Sequence, residues 1–388
     1  MRQSVPLPKI IWMVGFLLWS HLLLAQGSPN VPLLVQMDQY SSAGYNDCWG
    51  YTAPDGREYA LLGVATGTSI IDITDADNGV AVEVGFIPSA TSLWKDIKTY
   101  QQYAYVVNES GGGLQIIDLS NLPNSVSLAA TYTGFSTSHN IYIDEATGIL
   151  YAEGNSSQPV RVLDLSNPLA PVQIASFGVE CHDVFVRNGL AFVSEGTHGS
   201  YGIYDVTNPA APTLIQRLFV PAAGYAHNAW SNAGNTLLMT TEETAGKTIK
   251  LWDISNLTNI VMTDEVLGPT GLAHNTHIKG HYAYVSHYVD GLRIYDIADP
   301  YNVVEVGYYD TYPFPGGGFN GAWGAFPFFV SGKVLISDMQ SGLYVVYFEG
   351  AADVDPQDPN PPQNFQAYSD YHTPTSMQLT WEDPTTFF

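Results

Sequence analysis

An all-β chain, a seven-bladed β-propeller closed by an N-terminal strand, is what this sequence predicts, and three observations predict it. A strand-forming phrase ending in Asp recurs along the chain: TSIIDITDAD from Thr68, LQIIDLSNLP from Leu114, VRVLDLSNP from Val160, YGIYDVTNP from Tyr201, IKLWDISNL from Ile249 and LRIYDIADP from Leu292, with GLYVVYFEG from Gly342 as a looser seventh copy. The aspartates, Asp72, Asp118, Asp164, Asp205, Asp253 and Asp296, lie 46, 46, 41, 48 and 43 residues apart, and Tyr347 takes the slot in the last copy. Each repeat also holds four short runs rich in Tyr, Val and Ile, separated by turn residues, as in AHNTHIKGHYAYVSHYVDGLRIYDIADPYNVVEVGYYD from Ala273. A period in the forties with four strands per unit is the pattern of propeller blades, none of which can bury both faces alone. The phrase ends as it does for a reason: Asp and Ser/Thr side chains bond nearby backbone N–H groups, and Pro stops the strand.

The elements follow in order. Residues 1–25 carry Arg2 and Lys9, then an apolar run from Ile10 to Leu24, then Ala25-Gln26, the pattern of a secretory signal peptide cleaved after Ala25. The run is shorter than the roughly 20 residues a spanning helix needs, and no later segment is apolar enough to span a membrane. The mature chain is expected to be exported, extracellular or at the cell surface, or in a periplasm.

Residues 31–40, VPLLVQMDQY, resemble the fourth run of a blade, whereas the last repeat, Phe319 to Glu349, has three runs. The N-terminal strand is therefore expected to complete the last blade and close a ring over residues 31–350, which removes exposed sheet edges. Residues 351–362, rich in Pro and Asp, read as a stiff linker. Residues 363–388 resemble the opening of a fibronectin type III domain, on the strength of Pro362 ahead of an extended run, SMQLTW ending at Trp381, and Asp383-Pro384. Two such strands are only part of a β-sandwich, so a fragment of a longer protein is expected.

Charge excludes some partners. Without residues 1–25 the chain keeps 11 of its 13 Lys and Arg against all 37 Asp and Glu, a formal net charge of −26. Such a surface repels nucleic acid and anionic lipid. Cys48 and Cys181, the two cysteines, fall in the first and fourth repeats, on opposite sides of a ring, and are expected to be free and buried.

Aligned on the repeated phrase, a polar pair opens each blade: Asn46-Asp47, Lys95-Asp96, His139-Asn140, His182-Asp183, His227-Asn228 and His274-Asn275, with Trp323-Gly324 breaking the pattern. The first strand of a propeller blade normally lines the central channel. A second set, Glu109, Glu153, Glu195, Glu242, His287 and Asp338, lies where the second strands end, on the same face. Two uses fit these rings. Imidazoles with carboxylates at a concave mouth are a donor set for one divalent transition metal, held by several of His139, His182, His227 and His274, or for general acid–base work. Polar residues repeated in every blade also serve as ties between blades. Trp49, Trp94, Trp230 and Trp323 fall nearby and suit either stacking on a sugar or interblade packing. Glu109, Glu153, Glu195, Glu242, His287 and Trp230 are the candidate ligand-binding residues, for a protein or glycan at the propeller face. Asp75-Ala-Asp77-Asn-Gly79 lacks the full pattern of a calcium loop and reads as a turn.

With these residues in view, the chain resembles the LVIVD-repeat propellers over about residues 31–350, and within them the choice-of-anchor B group of exported bacterial proteins. The resemblance implies the fold, an exported location and a variable C-terminal anchoring segment. It implies no reaction, so no catalytic residue carries over. Of two functions, the sequence favours a binding module displaying a propeller face to a protein or glycan; the alternative is a metal-dependent enzyme with a His/carboxylate site at the channel mouth.

Overall fold

The computed structural model describes residues 27–352 apart from Pro315, and the backbone of two further strands, Gln363–Ser369 and Met377–Glu382. The segment expected to be a signal peptide and most of the expected linker fall outside the described residues. Seven four-stranded antiparallel sheets form the blades. Blade 1 spans residues 45–88, blade 2 95–132, blade 3 141–177, blade 4 183–219, blade 5 226–266 and blade 6 276–309. Blade 7 is built from residues 322–347 together with the N-terminal strand Leu33–Met37, which pairs antiparallel with Gly342–Tyr347. The ring therefore closes by pairing the two ends of the propeller.

The residues just before that strand extend the closure onto blade 6. Gly27 bridges Tyr309, and the Asn30 side chain donates to the Val306 carbonyl at 2.8 Å. A single N-terminal segment thus covers the outer edges of two blades. Among the described residues no helix is long and apolar enough to cross a membrane.

The repeated phrase does the same local work in six blades. Each Asp carboxylate accepts the backbone N–H two residues on: Asp72 from Thr74 at 3.0 Å, Asp118 from Ser120 at 2.8 Å, Asp164 from Ser166 at 2.6 Å, Asp205 from Thr207 at 2.9 Å, Asp253 from Ser255 at 2.9 Å, and Asp296 from Ala298 at 2.8 Å. One or two residues before each Asp, the pairing of third and fourth strands slips by one, at Ile70/Ile71, Ile116/Ile117, Val162/Leu163, Ile203/Tyr204, Leu251/Trp252 and Ile294/Tyr295. Such a bulge adds local twist, which each blade of a propeller needs.

The core lies between blades. Tyr284, Leu292 and Ile294 of blade 6 pack on Val334, Ile336 and Val346 of blade 7, all but fully buried. Cys48 and Cys181 are buried and free, as their separation in the repeats predicts. Strands Gln363–Ser369 and Met377–Glu382 pair antiparallel as a hairpin. Removing residues 27–40 would leave blade 7 with three strands and an open edge. The expected outcome is loss of a single cooperative melt and self-association, checked by circular dichroism and size-exclusion chromatography; a truncated chain that melts like the intact one would contradict this role.

Candidate functional site

The innermost strands, Tyr45–Thr52, Lys95–Tyr100, Ile141–Asp144, Asp183–Arg187, Ala226–Ser231, Thr276–Lys279 and Ala322–Phe326, all run the same way along the channel. Equivalent residues therefore form layers. At about 3.3 Å per residue, three positions along a strand separate layers by roughly 10 Å.

The middle layer ties the ring. Asp47 accepts the Ile97 N–H at 3.2 Å, Asp96 accepts the Ile141 N–H at 2.6 Å, and Asn228 accepts the Thr276 N–H at 3.0 Å, each reaching one blade onward. The Asn228 amide also donates to Asp183 at 2.5 Å. Lys98, buried here, pairs with Asp96 and lies 3.9 Å from Asp47. Burial raises the Asp47 carboxyl well above its usual range, Lys98 opposing it and Asp96 adding to it. Burial likewise pushes Asp183 up to about 7. For Asp47, Asp96, Asp183 and Asn228 the structure shows the interblade tie, whereas the Asn140 and Asn275 side-chain oxygens are buried without a hydrogen-bond partner.

Blade 7 lacks an Asp or Asn because its space is taken. A Cβ on Gly324 would lie 2.7 Å from Asp47 Oδ1 and 3.0 Å from Ser337 Oγ. Gly324→Ala is expected to destabilise the fold by about 1–3 kcal/mol, as overpacking does, measured by chemical denaturation; an unchanged midpoint would contradict the assignment.

One residue before the middle layer in sequence, His139, His182, His227 and His274 line a cavity of about 280 Å³ with Trp94, Glu243, Tyr288, Phe319, Trp323 and Met339. Successive imidazoles lie 4.4, 4.2 and 4.4 Å apart, centre to centre. His182 Nδ1 sits 3.3 Å from the His227 carbonyl and His274 Nδ1 2.5 Å from the Trp323 carbonyl, one blade onward in each case. A carbonyl only accepts, so both rings carry their proton on Nδ1 and leave Nε2 as a lone pair. His227 Nδ1 faces the His274 backbone without a well-formed hydrogen bond. Burial drives His182 and His227 well below the ordinary imidazole range, helped by the neighbouring imidazoles, and lowers His274 to about 3.

His139 differs. Its Nδ1 is 2.6 Å from Glu109 Oε1, and its backbone N–H donates to Glu153 at 2.9 Å. Burial lowers its basicity, but Glu109 and Glu153 outweigh that and raise it.

Of the second set, only Glu109 and Glu153 meet the histidines. Glu195 is fully buried with Arg217 at 2.7 Å and Ser200 at 2.6 Å. Glu242 pairs with Lys250 and accepts the Gly224 N–H. His287 is held 2.8 Å from Asp290, and Asp338 caps the Gln340 and Ser341 N–H groups.

The carboxylate that enters the cavity is Glu243, which the strand alignment misses. Its oxygens lie 3.8 Å from His227 Nε2 and 4.0 Å from His274 Nε2, and Tyr288 donates its hydroxyl to it. Burial raises the Glu243 carboxyl, and the Tyr288 hydrogen bond opposes this. Tyr288 has a φ of +47°, strained for a residue with a side chain, and is fixed by reciprocal backbone bonds to Ala322 at 3.1 and 2.9 Å. The available signal was the doublet Glu242-Glu243: adjacent residues in extended chain face opposite ways, so two carboxylates there serve two places.

Trp230 lies elsewhere. Trp94 and Trp323 border the histidine cavity, whereas Trp49 and Trp230 line the opposite mouth, about 420 Å³, with Tyr51, Tyr142, Phe326 and Phe328. Thr52, Thr99, Gln101, Glu145 and Arg187 supply polar groups there. Lys98 Nζ sits 4.4 Å from the Trp49 ring centre. The channel thus has two chemically unlike ends.

Comparison with known proteins agrees with this architecture. The LVIVD repeat matches at residues 94–133 and 270–311, segments that correspond to blades 2 and 6. No match is found among curated proteins. Among solved structures, the crystal structure of the computationally designed Ika8 protein is similar, with 9% identity, a TM-score of 0.54, and coverage of 81% of this chain and 99% of that one; this likeness concerns the fold alone. The chain is a seven-bladed, all-β propeller carrying LVIVD repeats.

His277 packs among Trp49, Trp230 and Phe328, with ring centres at 6.1, 4.5 and 5.8 Å. Burial, then Lys98, lowers it to about 3. Because the folded state holds its proton more weakly than the unfolded chain, its contribution to stability is full above about pH 6.5 and is lost as pH falls toward 3. The melting temperature of His277→Phe should fall less steeply over that range than that of the unaltered protein; parallel curves would contradict it.

Proposed function

We propose that this chain is an exported binding module that takes an uncharged oligosaccharide at the Trp230 mouth of its channel. The observation that carries the reading is the lining of that mouth. Aromatic side chains of four blades, Trp49 and Tyr51, Tyr142, Trp230, and Phe326 with Phe328, meet there beside polar groups at its rim. Sugar rings present apolar C–H faces to aromatic rings and hydroxyls to amides, carboxylates and guanidinium groups, which is what Gln101, Glu145 and Arg187 offer. Repeated LVIVD blades suit an interaction module, since their polar repeats serve to hold the scaffold. Export is supported by the basic and apolar pattern of residues 1–25, and surface display by the resemblance to the choice-of-anchor B group and to the start of a fibronectin type III domain.

Glycan arrays followed by calorimetry on the full chain test the reading. Glu145→Ala and Gln101→Ala alter exposed side chains, so they should leave the melt intact. Each is expected to weaken binding by roughly 5–10-fold, the loss of one hydrogen bond of about 1–1.5 kcal/mol. Absence of any bound glycan, or binding indifferent to both substitutions, would overturn it.

A further inference from the structure

We propose that His182, His227 and Glu243 hold one divalent transition-metal ion of the zinc or iron(II) class at the other end of the channel. One donor atom from each of the three lies within 4.8 Å of the other two. Ligands of a tetrahedral ion at about 2.0–2.1 Å stand roughly 3.4 Å apart, so closing onto an ion takes side-chain shifts of about 1 Å. Two imidazoles and one carboxylate form a borderline donor set that suits these ions and leaves coordination positions open.

Independent features support the set. The His182 Nδ1 proton is committed to the His227 carbonyl, which directs the Nε2 lone pair away from the backbone. Glu243 is positioned by the Tyr288 hydroxyl, itself held by the strained, doubly bonded backbone of Tyr288. Such outer partners fix ligand orientation at metal centres. His274, with Nε2 4.0 Å from Glu243, stands next in line as a fourth ligand. His139 stays outside, because it is not among the residues whose donor atoms converge within 4.8 Å. The open positions face a cavity whose rim carries Trp94 and Phe319, 43% and 57% exposed. An oxygen donor on a flat or apolar molecule would bind there. None of these residues lines the Trp230 mouth, so this centre stands or falls separately from saccharide binding.

The test uses the full chain, stripped with chelator and then offered Zn²⁺, anaerobic Fe²⁺ and Co²⁺ in separate arms. Elemental mass spectrometry should find one equivalent of bound ion, and Co²⁺ should develop visible absorption. His182→Ala, His227→Ala and Glu243→Gln should each weaken binding at least about 100-fold, and Tyr288→Phe about 10–100-fold. Glu145→Ala, at the opposite mouth, should retain one equivalent. Glu243→Gln preserves size, and a melt matching the metal-free parent separates ligand loss from misfolding. Less than about a tenth of an equivalent of every ion, or binding by His182→Ala and Glu243→Gln equal to the parent's, would overturn the proposal.

Discussion

The bond that reaches from one innermost strand to the next is the constraint on which the rest depends. A propeller blade touches only its neighbours, and its innermost strand has no further strand to pair with. Asp47, Asp96 and Asn228 solve this by accepting the N–H of Ile97, Ile141 and Thr276 on the blade ahead. These groups are buried, and leaving a buried N–H or carboxylate unpaired costs more than a typical hydrogen bond contributes. The ties therefore fix the register of blade against blade. One residue upstream, the same geometry turns His182 and His274 so that Nδ1 meets the next blade's carbonyl. Scaffold and candidate site share one hydrogen-bonding scheme.

The candidate sites lie where the repeats differ. Lys98 appears in one blade and supplies the buried cation that two carboxylates of the middle layer need. Glu243 and Tyr288 each appear once, and together they place a carboxylate among imidazoles that other residues only surround. At the far mouth the aromatic layer replaces polar residues three positions along the strands. A single ring of blades thereby presents a nitrogen- and oxygen-rich end and an aromatic end.

The fold was legible because its signals are repeated. The six Asp turns and the period between them report the blades directly, and the incomplete seventh repeat reports the closing strand Leu33–Met37. The gathering of four histidines was legible for the same reason. What was hidden depends on side-chain direction, which the repeats do not encode. Glu195 and Glu242 lie at the ends of second strands and Glu153 within one, yet Glu195 and Glu242 each turn to a basic partner on their own sheet, Arg217 and Lys250. Glu243 enters the cavity because it lies one residue past the strand end. Trp230 follows His227 by three residues, a distance that carries it to the opposite mouth. The glycine of blade 7 was a gap in the pattern until Asp47 was seen to occupy the space beside it.

The claim that joins these parts is that blade-to-blade bonding sets the imidazoles with their lone pairs free at Nε2. Long-range ¹H–¹⁵N correlation of the histidine side chains, on metal-free protein at pH 7, tests it most directly. The account predicts that His182 and His274 are neutral, protonated at Nδ1 and unprotonated at Nε2. A proton on Nε2 of either ring, or imidazolium signals from both, would contradict it.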